Sequence, residues 1–174
     1  PMLHGVMKQL LREVAWGDQD YLVVDLPPGT GDVQLSLSQM VPVTGAIIVT
    51  TPQNVALQDV RKGVSMFKKV DIPIIGLVEN MSYYLCPKCG ERDEIFDHGG
   101  GEAAAAEMGL NFLGGVPLNS EIRRSMDIGK PVAAQTETKF ASIYQDIASK
   151  VAQSVAVMNA QGGGPKPFAI ISDR

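Results

Sequence analysis

The sequence predicts an α/β domain of three layers around a mostly parallel sheet. Short, largely apolar runs at Tyr21–Val24, Gly45–Thr50, Ile74–Val78 and Asn111–Val116 read as strands, the first two as strands buried in the sheet. Segments of helical periodicity lie between them. The resulting order of strand, helix, strand, helix, strand implies parallel pairing through right-handed crossovers.

Residues 2–15 read as a helix, with Leu3, Val6, Met7, Leu10, Leu11 and Val14 on the inner face and Lys8, Gln9, Arg12 and Glu13 on the wet face. Trp16-Gly17-Asp18 ends it. Tyr21–Val24 then reads as a strand closing on Asp25, at the edge where open α/β sheets bind ligands. Pro27 and Pro28 each fix a φ angle, and Gly29 and Gly31 can take positive φ. A loop this rigid, presenting backbone N–H groups, suits a phosphate, and a strand-end Asp suits a magnesium shell. The bland alternative is a Pro-Gly turn with Asp32 as an ordinary N-cap for a helix over 33–40, which Pro42 stops.

Gly45–Thr50 is the second strand. Asn54 is placed as the N-cap of a helix over 55–69, with Val55, Val60, Val64 and Phe67 inward and Lys68 and Lys69 at its C-terminal dipole. Ile74–Val78 is the third strand, ending at Glu79-Asn80. A side-chain amide at that edge can donate to and accept from an adenine at once, although a lone Asn there is more often a turn cap. Residues 82–98 read as an excursion outside the sheet, carrying Cys86-Pro-Lys-Cys89. Gly99-Gly100-Gly101 reads as a hinge and the entry to an Ala-rich helix over 102–108. Asn111–Val116 is the fourth strand. Pro117-Leu118-Asn119-Ser120 caps a helix through Asp127, with Gly129 as its C′ residue. Phe140, Ile143, Tyr144, Ile147, Val151 and Val155 share one face of a last helix. Met66, Met108 and Met126 are placed in cores, and Arg123 and Arg124 in solvent. Residues 1–160 form the domain and 161–174 a flexible tail, in which Phe168–Ile171 is either an edge strand or disordered.

Composition narrows the function. The chain has 174 residues, 45% of them hydrophobic, and a net charge of −4. No basic stripe is present, which argues against nucleic acid as the main partner. No apolar run reaches membrane-spanning length and no signal peptide is visible. Two cysteines in a chain of this length are no disulfide framework, and their C-x-x-C spacing points to metal or redox chemistry in a reducing compartment.

Trp16, Asp20-Tyr21, three apolar residues, Asp25 and then Pro-Pro-Gly-Thr-Gly-Asp32 make a long and specific string. It resembles the signature of the Mrp-type (MinD-like) P-loop ATPases that carry iron–sulfur clusters, relatives of MinD and of nitrogenase iron protein. The likeness runs over roughly residues 1–135. It implies the P-loop NTPase sheet of that group, with ATP and magnesium as ligands of the intact protein. Asp25 then matches the catalytic acidic residue that organises magnesium and its water. Gly29 matches the glycine that meets the γ-phosphate, Thr30 belongs to the same loop, and Asp32 helps to position water. Asn80 matches the contact to the base, and Pro117 a backbone position lining the base pocket.

Thiolates bind zinc or iron, and Cys86 and Cys89 can reach one metal together. A tetrahedral site needs two more ligands. His98 alone leaves it short, and His4 is far away in sequence. A two-fold partner completes the set, because a symmetric interface presents the same patch twice. The family is thought to hold a labile 4Fe–4S cluster in this way. A shared cluster ranks ahead of a zinc site, and a redox disulfide third. The function expected is therefore iron–sulfur cluster carriage by a homodimer that delivers to apo-proteins, in the cytoplasm or, in a eukaryote, the mitochondrial matrix. The alternatives are a MinD/ParA-like partitioning ATPase, which needs an amphipathic or basic C-terminal element, and a zinc-stabilised interaction module. The family's G-K-G-G-V-G-K-[ST] loop occurs nowhere in these residues. The helix already under way at Pro1 suggests a missing N-terminal strand and loop, with a short form lacking ATPase activity as the other account. On either account the chain alone is expected to bind ATP poorly, to turn it over negligibly and to be less stable than the full domain.

Overall fold

A computed structural model describes residues 2–27, 32–135 and 138–162. Helix α1 (Met2–Arg12) is followed by a segment without regular secondary structure to Pro27, then α2 (Asp32–Met40), β1 (Ala46–Thr50) and α3 (Asn54–Lys69). Next come β2 (Ile74–Leu85), the two-residue β3 (Arg92–Asp93), α4 (Gly100–Met108), β4 (Phe112–Leu118), α5 (Ser120–Asp127), a 3₁₀ turn at Val132–Ala134 and α6 (Ala141–Ala160). β2 is the spine: β1 and β4 pair with it in parallel, and β3 pairs antiparallel with its far end.

Alternate residues of β2 feed two cores. Leu77 joins Ile48, Val60, Val64 and Ala105 beneath α3 and α4. Val78 joins Leu113, Val116, Ile122, Val132 and Phe140 beneath α5 and α6. Helices therefore cover both faces, giving the three layers expected of strands apolar on both sides. Local chemistry closes the elements as their residues dictate. Asn119 Oδ1 accepts from the N–H of Glu121 at 2.7 Å, capping α5. Gly129 takes φ +67° and its N–H reaches the Met126 carbonyl at 3.0 Å, a left-handed exit that suits glycine.

Several expectations are corrected. Tyr21–Val24 is not a buried strand: it pairs with no described strand, and Val23 is 85% exposed. Buried extended backbone needs ladder partners, and no described element supplies them there. The first helix ends at Arg12 rather than 15, and Val6 and Leu10 on its supposed inner face are exposed, as is Val14 beyond it. Asn54 is the first residue of α3 and Gln53 its N-cap, with no side-chain cap. Val55 is exposed, because two residues, roughly 200° of helix, separate it from Leu57 and turn it away from the buried stripe of Leu57, Val60 and Val64. Met126 is exposed too, while Met108 packs against the α3–α4 core as expected. β2 continues to Leu85, so the excursion begins at Cys86; pairing of Tyr84 and Leu85 with Asp93 and Arg92 holds the strand's end in the sheet. Of the tail, residues 163–174 lie outside the described residues, and with them the segment Phe168–Ile171.

Candidate functional site: a groove and a cysteine hairpin

The segment after α1, the start of α2, β1 and one side of α3 line an open groove of about 1580 Å³. Asp25, Pro27, Gln34, Thr50, Thr51 and Asn80 all line it. Asp25 and Asn80, separated by 55 positions in sequence, thus line the same groove, Asp25 from the segment after α1 and Asn80 from within β2. Asp25 is exposed. Asn80 is half-buried, and its Oδ1 accepts from the N–H of Met81 at 3.0 Å, a bond that does not engage the amide NH₂. Pro117 is buried inside β4 and is not among the groove's lining residues. Asp32 opens α2, and Gly29 and Thr30 lie outside the described residues.

Gln34 was not singled out by sequence. It is buried on α2, and its Nε2 donates to the Pro27 carbonyl at 3.3 Å, tying helix to loop. A polar residue at an inward position of a short helix is the signal that would have marked it.

At the other end of β2 lies a hairpin. Cys86 N–H donates to the Glu91 carbonyl at 2.9 Å, and Gly90 N–H to the Cys86 carbonyl at 2.8 Å, so the turn is closed by its own backbone. Cys86 is half-buried and Cys89 exposed, and both thiols are free. The backbone N–H of Cys89, then that of Lys88 and the Cys89 thiol, hold the Cys86 thiol below its ordinary value, against opposing pushes from desolvation and Glu91. N–H donors aimed at a sulfur favour the thiolate, the form that binds iron or zinc. The Arg92 guanidinium lies 4.0 Å from the centre of the Tyr83 ring, a contact between β3 and β2, and its Nε bonds Glu94 at 2.7 Å.

His98 is turned to Glu94, Nδ1 to Oε1 at 3.2 Å. Among the described residues no group of three or more His, Cys, Asp or Glu side chains could hold a metal, so the hairpin offers two ligands per chain. The glycine run 99–101 proves to be a packing device. A Cβ at Gly100 would sit 2.7 Å from the Pro52 carbonyl, and the N–H of Gly101 is already taken by the Glu79 carboxylate. Arg123 pairs with Asp127 along the exposed face of α5.

Comparison with known proteins adds a separate line. Residues 1–152 match the model of a ParA-group family described as the NUBPL iron-transfer P-loop NTPases. An iron–sulfur cluster carrier protein of Pseudomonas fragi is 52% identical over 149 residues, which are 85% of this chain and 52% of that protein. The iron–sulfur cluster transfer protein NUBPL of Dictyostelium discoideum is 50% identical over 160 residues, 91% of this chain and 50% of that one. The chain spans about half the length of these curated relatives. Among solved structures, a nucleotide-binding protein from Archaeoglobus fulgidus in complex with ADP superposes with a TM-score of 0.69 at 36% identity, covering 80% of this chain and 56% of that one. The Pyrococcus furiosus cell division ATPase MinD does so with a TM-score of 0.60 at 25% identity, covering 87% of this chain and 57% of that one.

Proposed function

The chain belongs to the NUBPL iron-transfer P-loop NTPase family, and from that premise we propose that it carries an iron–sulfur cluster as cargo, held between two copies of the hairpin and passed to apo-proteins. The observation that carries the reading is the hairpin itself: two thiols on a backbone-closed turn, reachable from solvent, with no third ligand among the described residues. Two such hairpins related by a two-fold axis supply the four thiolates that a 4Fe–4S cluster takes. Solvent access suits a cluster that must leave again. The N–H groups of Lys88 and Cys89 favour the Cys86 thiolate before iron arrives.

The groove is proposed as the nucleotide side of the same protein. Its chemistry fits in part. Asp25 can hold magnesium through its carboxylate, the Asn80 amide can pair with a base edge, and Gln34 fixes the carbonyl of Pro27 in the loop between them. The sequence holds no G-K-G-G-x-G-K-[ST] string to grip the phosphates. ATP dependence of transfer is accordingly proposed for a protein in which that loop is present. The carrier reading is favoured over a partitioning switch because relatives near 50% identity are cluster carriers or transfer proteins, whereas the likeness to MinD is 25%. No described helix is long and apolar enough to cross a membrane.

Anaerobic reconstitution with iron and sulfide tests the reading. The parent chain is expected to take up both and to gain broad visible absorption, and Cys86→Ala/Cys89→Ala to hold neither. Equal iron and sulfide in the double variant would overturn it. One zinc per dimer with no visible absorption would support the zinc-stabilised module instead.

A further inference from the structure

β2 does not run straight from the groove to the hairpin. Against β4 its register jumps between Asn80 and Tyr84: Asn80 faces Val116 and Tyr84 faces Leu118, so four steps on β2 oppose two on β4. The extra residues form a bulge, which bends a strand and re-aims the residues beyond it. Within the bulge Met81 takes φ +55°. Three non-glycine residues have positive φ among those described, and the other two are Asp71 and Asp97, a residue type that tolerates it. A methionine there is held by its surroundings.

What holds it is a polar knot in the middle of the fold. Glu79, 1% exposed, precedes the bulge. Its Oε1 accepts from the Ser82 hydroxyl, inside the bulge, at 2.6 Å. Its Oε2 accepts from the N–H of Gly101 in the first turn of α4, where the helix dipole favours a negative charge. The surroundings are cut to fit. A Cβ at Gly101 would lie 2.6 Å from Glu79 Oε2, and one at Gly115 on β4 would lie 2.6 Å from Ser82 Oγ. No basic side chain pairs with this carboxylate among the described residues. A buried carboxylate is costly unless fully hydrogen-bonded, so replacing any of its donors is felt directly.

We propose that Glu79 is a positioning residue for the cysteine hairpin: by clasping Ser82 and the start of α4 it fixes the bulge at Met81, and with it the direction in which Cys86 and Cys89 leave the domain. The inference rests on the carrier reading above. Cys86 lies seven residues beyond Glu79, roughly 20 Å along a strand, so a small change of bend moves both sulfurs together. The turn around the sulfurs is closed by its own hydrogen bonds and does not depend on the knot. A cluster shared by two chains needs both the turn and its aim, whereas a ligand bridging the two thiols of one chain needs the turn alone.

That split defines the experiment. Glu79→Gln keeps shape but cannot accept from both donors through its NH₂ end, and Gly101→Ala pushes on the same carboxylate from the helix side. Hydrogen exchange is measured on the cluster-free chain. Both variants are expected to speed exchange at least tenfold across Met81–Arg92 and at the start of α4, with β1 and α6 unchanged. Phenylarsine oxide, which bridges two thiols of one chain and releases water, should bind both variants within twofold of the parent. The reconstituted cluster should be lost to an iron chelator at least fivefold faster. Unchanged exchange across Met81–Arg92 would overturn the proposal. So would exchange that rises throughout the chain, which would make Glu79 a stabilising residue only. Because exchange is read without a cluster, a parent that failed to load iron would count against the carrier reading and leave this result standing.

Discussion

Two apolar runs in this chain look alike in sequence and behave in opposite ways. Ile74-Ile-Gly-Leu-Val78 lies at the centre of the sheet, between β1 and β4, with Ile75, Leu77 and Val78 buried. Tyr21-Leu-Val-Val24 is of similar length and hydrophobicity, and all four of its residues are exposed. Each leads into a candidate ligand residue, Asn80 in one case and Asp25 in the other. The difference lies in their neighbours. An apolar run records what a segment is able to bury, whereas burial also needs a second surface and a partner for every backbone group.

The largest effect expected tests the well-packed half. Leu77 is wholly buried beneath α3 and α4, among Ile48, Val60, Val64 and Ala105. Leu77→Ala therefore opens a cavity in a core whose walls are all apolar. It should cost about 2–5 kcal/mol in urea unfolding, with the slope of the transition unchanged. A cost below about 1 kcal/mol would mean that this core is loosely packed and that the two runs differ less than the structure says.

The same contrast explains what was legible in the sequence. Where a segment's partners are also in the chain, periodicity found it: β1, α3 and α5 stand within a residue or two of their expected places, as do the cap before α5 and the Gly129 exit, and α6 carries the expected face. Where partners are absent from the described residues, as for Tyr21–Val24 and the inner face of α1, the same periodicity misled. The site divided likewise. Asp25 and Asn80, which line one groove, were singled out because each follows an apolar run, the family resemblance deciding for Asn80, and the cysteines because their spacing is a chemical statement in itself. Glu79 and Gln34 were not found. Their importance comes from what approaches them across the fold, an α4 amide in one case and the Pro27 carbonyl in the other, and no local pattern records that.

A smaller effect is expected from the exposed run. Val23→Ala removes two methyl groups that already face solvent, so its unfolding free energy should stay within about 0.5 kcal/mol of the parent. Paired with Leu77→Ala on the same instrument, it measures the contrast directly. A loss of about 2 kcal/mol or more, the size of a core truncation, would show that Tyr21–Val24 is buried in solution, by this chain or by a second copy. Repeating the measurement over a tenfold range of protein concentration separates those two, because only the second makes the loss depend on concentration.

The smallest effect concerns the far end of β2, where local hydrogen bonds act on a half-buried thiol. The N–H groups of Cys89 and Lys88 stabilise the Cys86 thiolate, so its folded-state pKa lies below that of the unfolded chain. The thiolate, being the nucleophile, should then persist to lower pH in the folded protein. In Cys89→Ala only Cys86 remains to react, and both backbone donors are kept while the Cys89 thiol, a lesser contributor, is lost. Its alkylation rate by iodoacetamide, followed against pH, should reach half its maximum at lower pH in the folded protein than in urea. Coincident profiles would mean that the turn does not hold its donors on the sulfur before metal arrives. The hairpin would then resemble Tyr21–Val24, a segment whose sequence is fit for a partner and whose geometry waits on one.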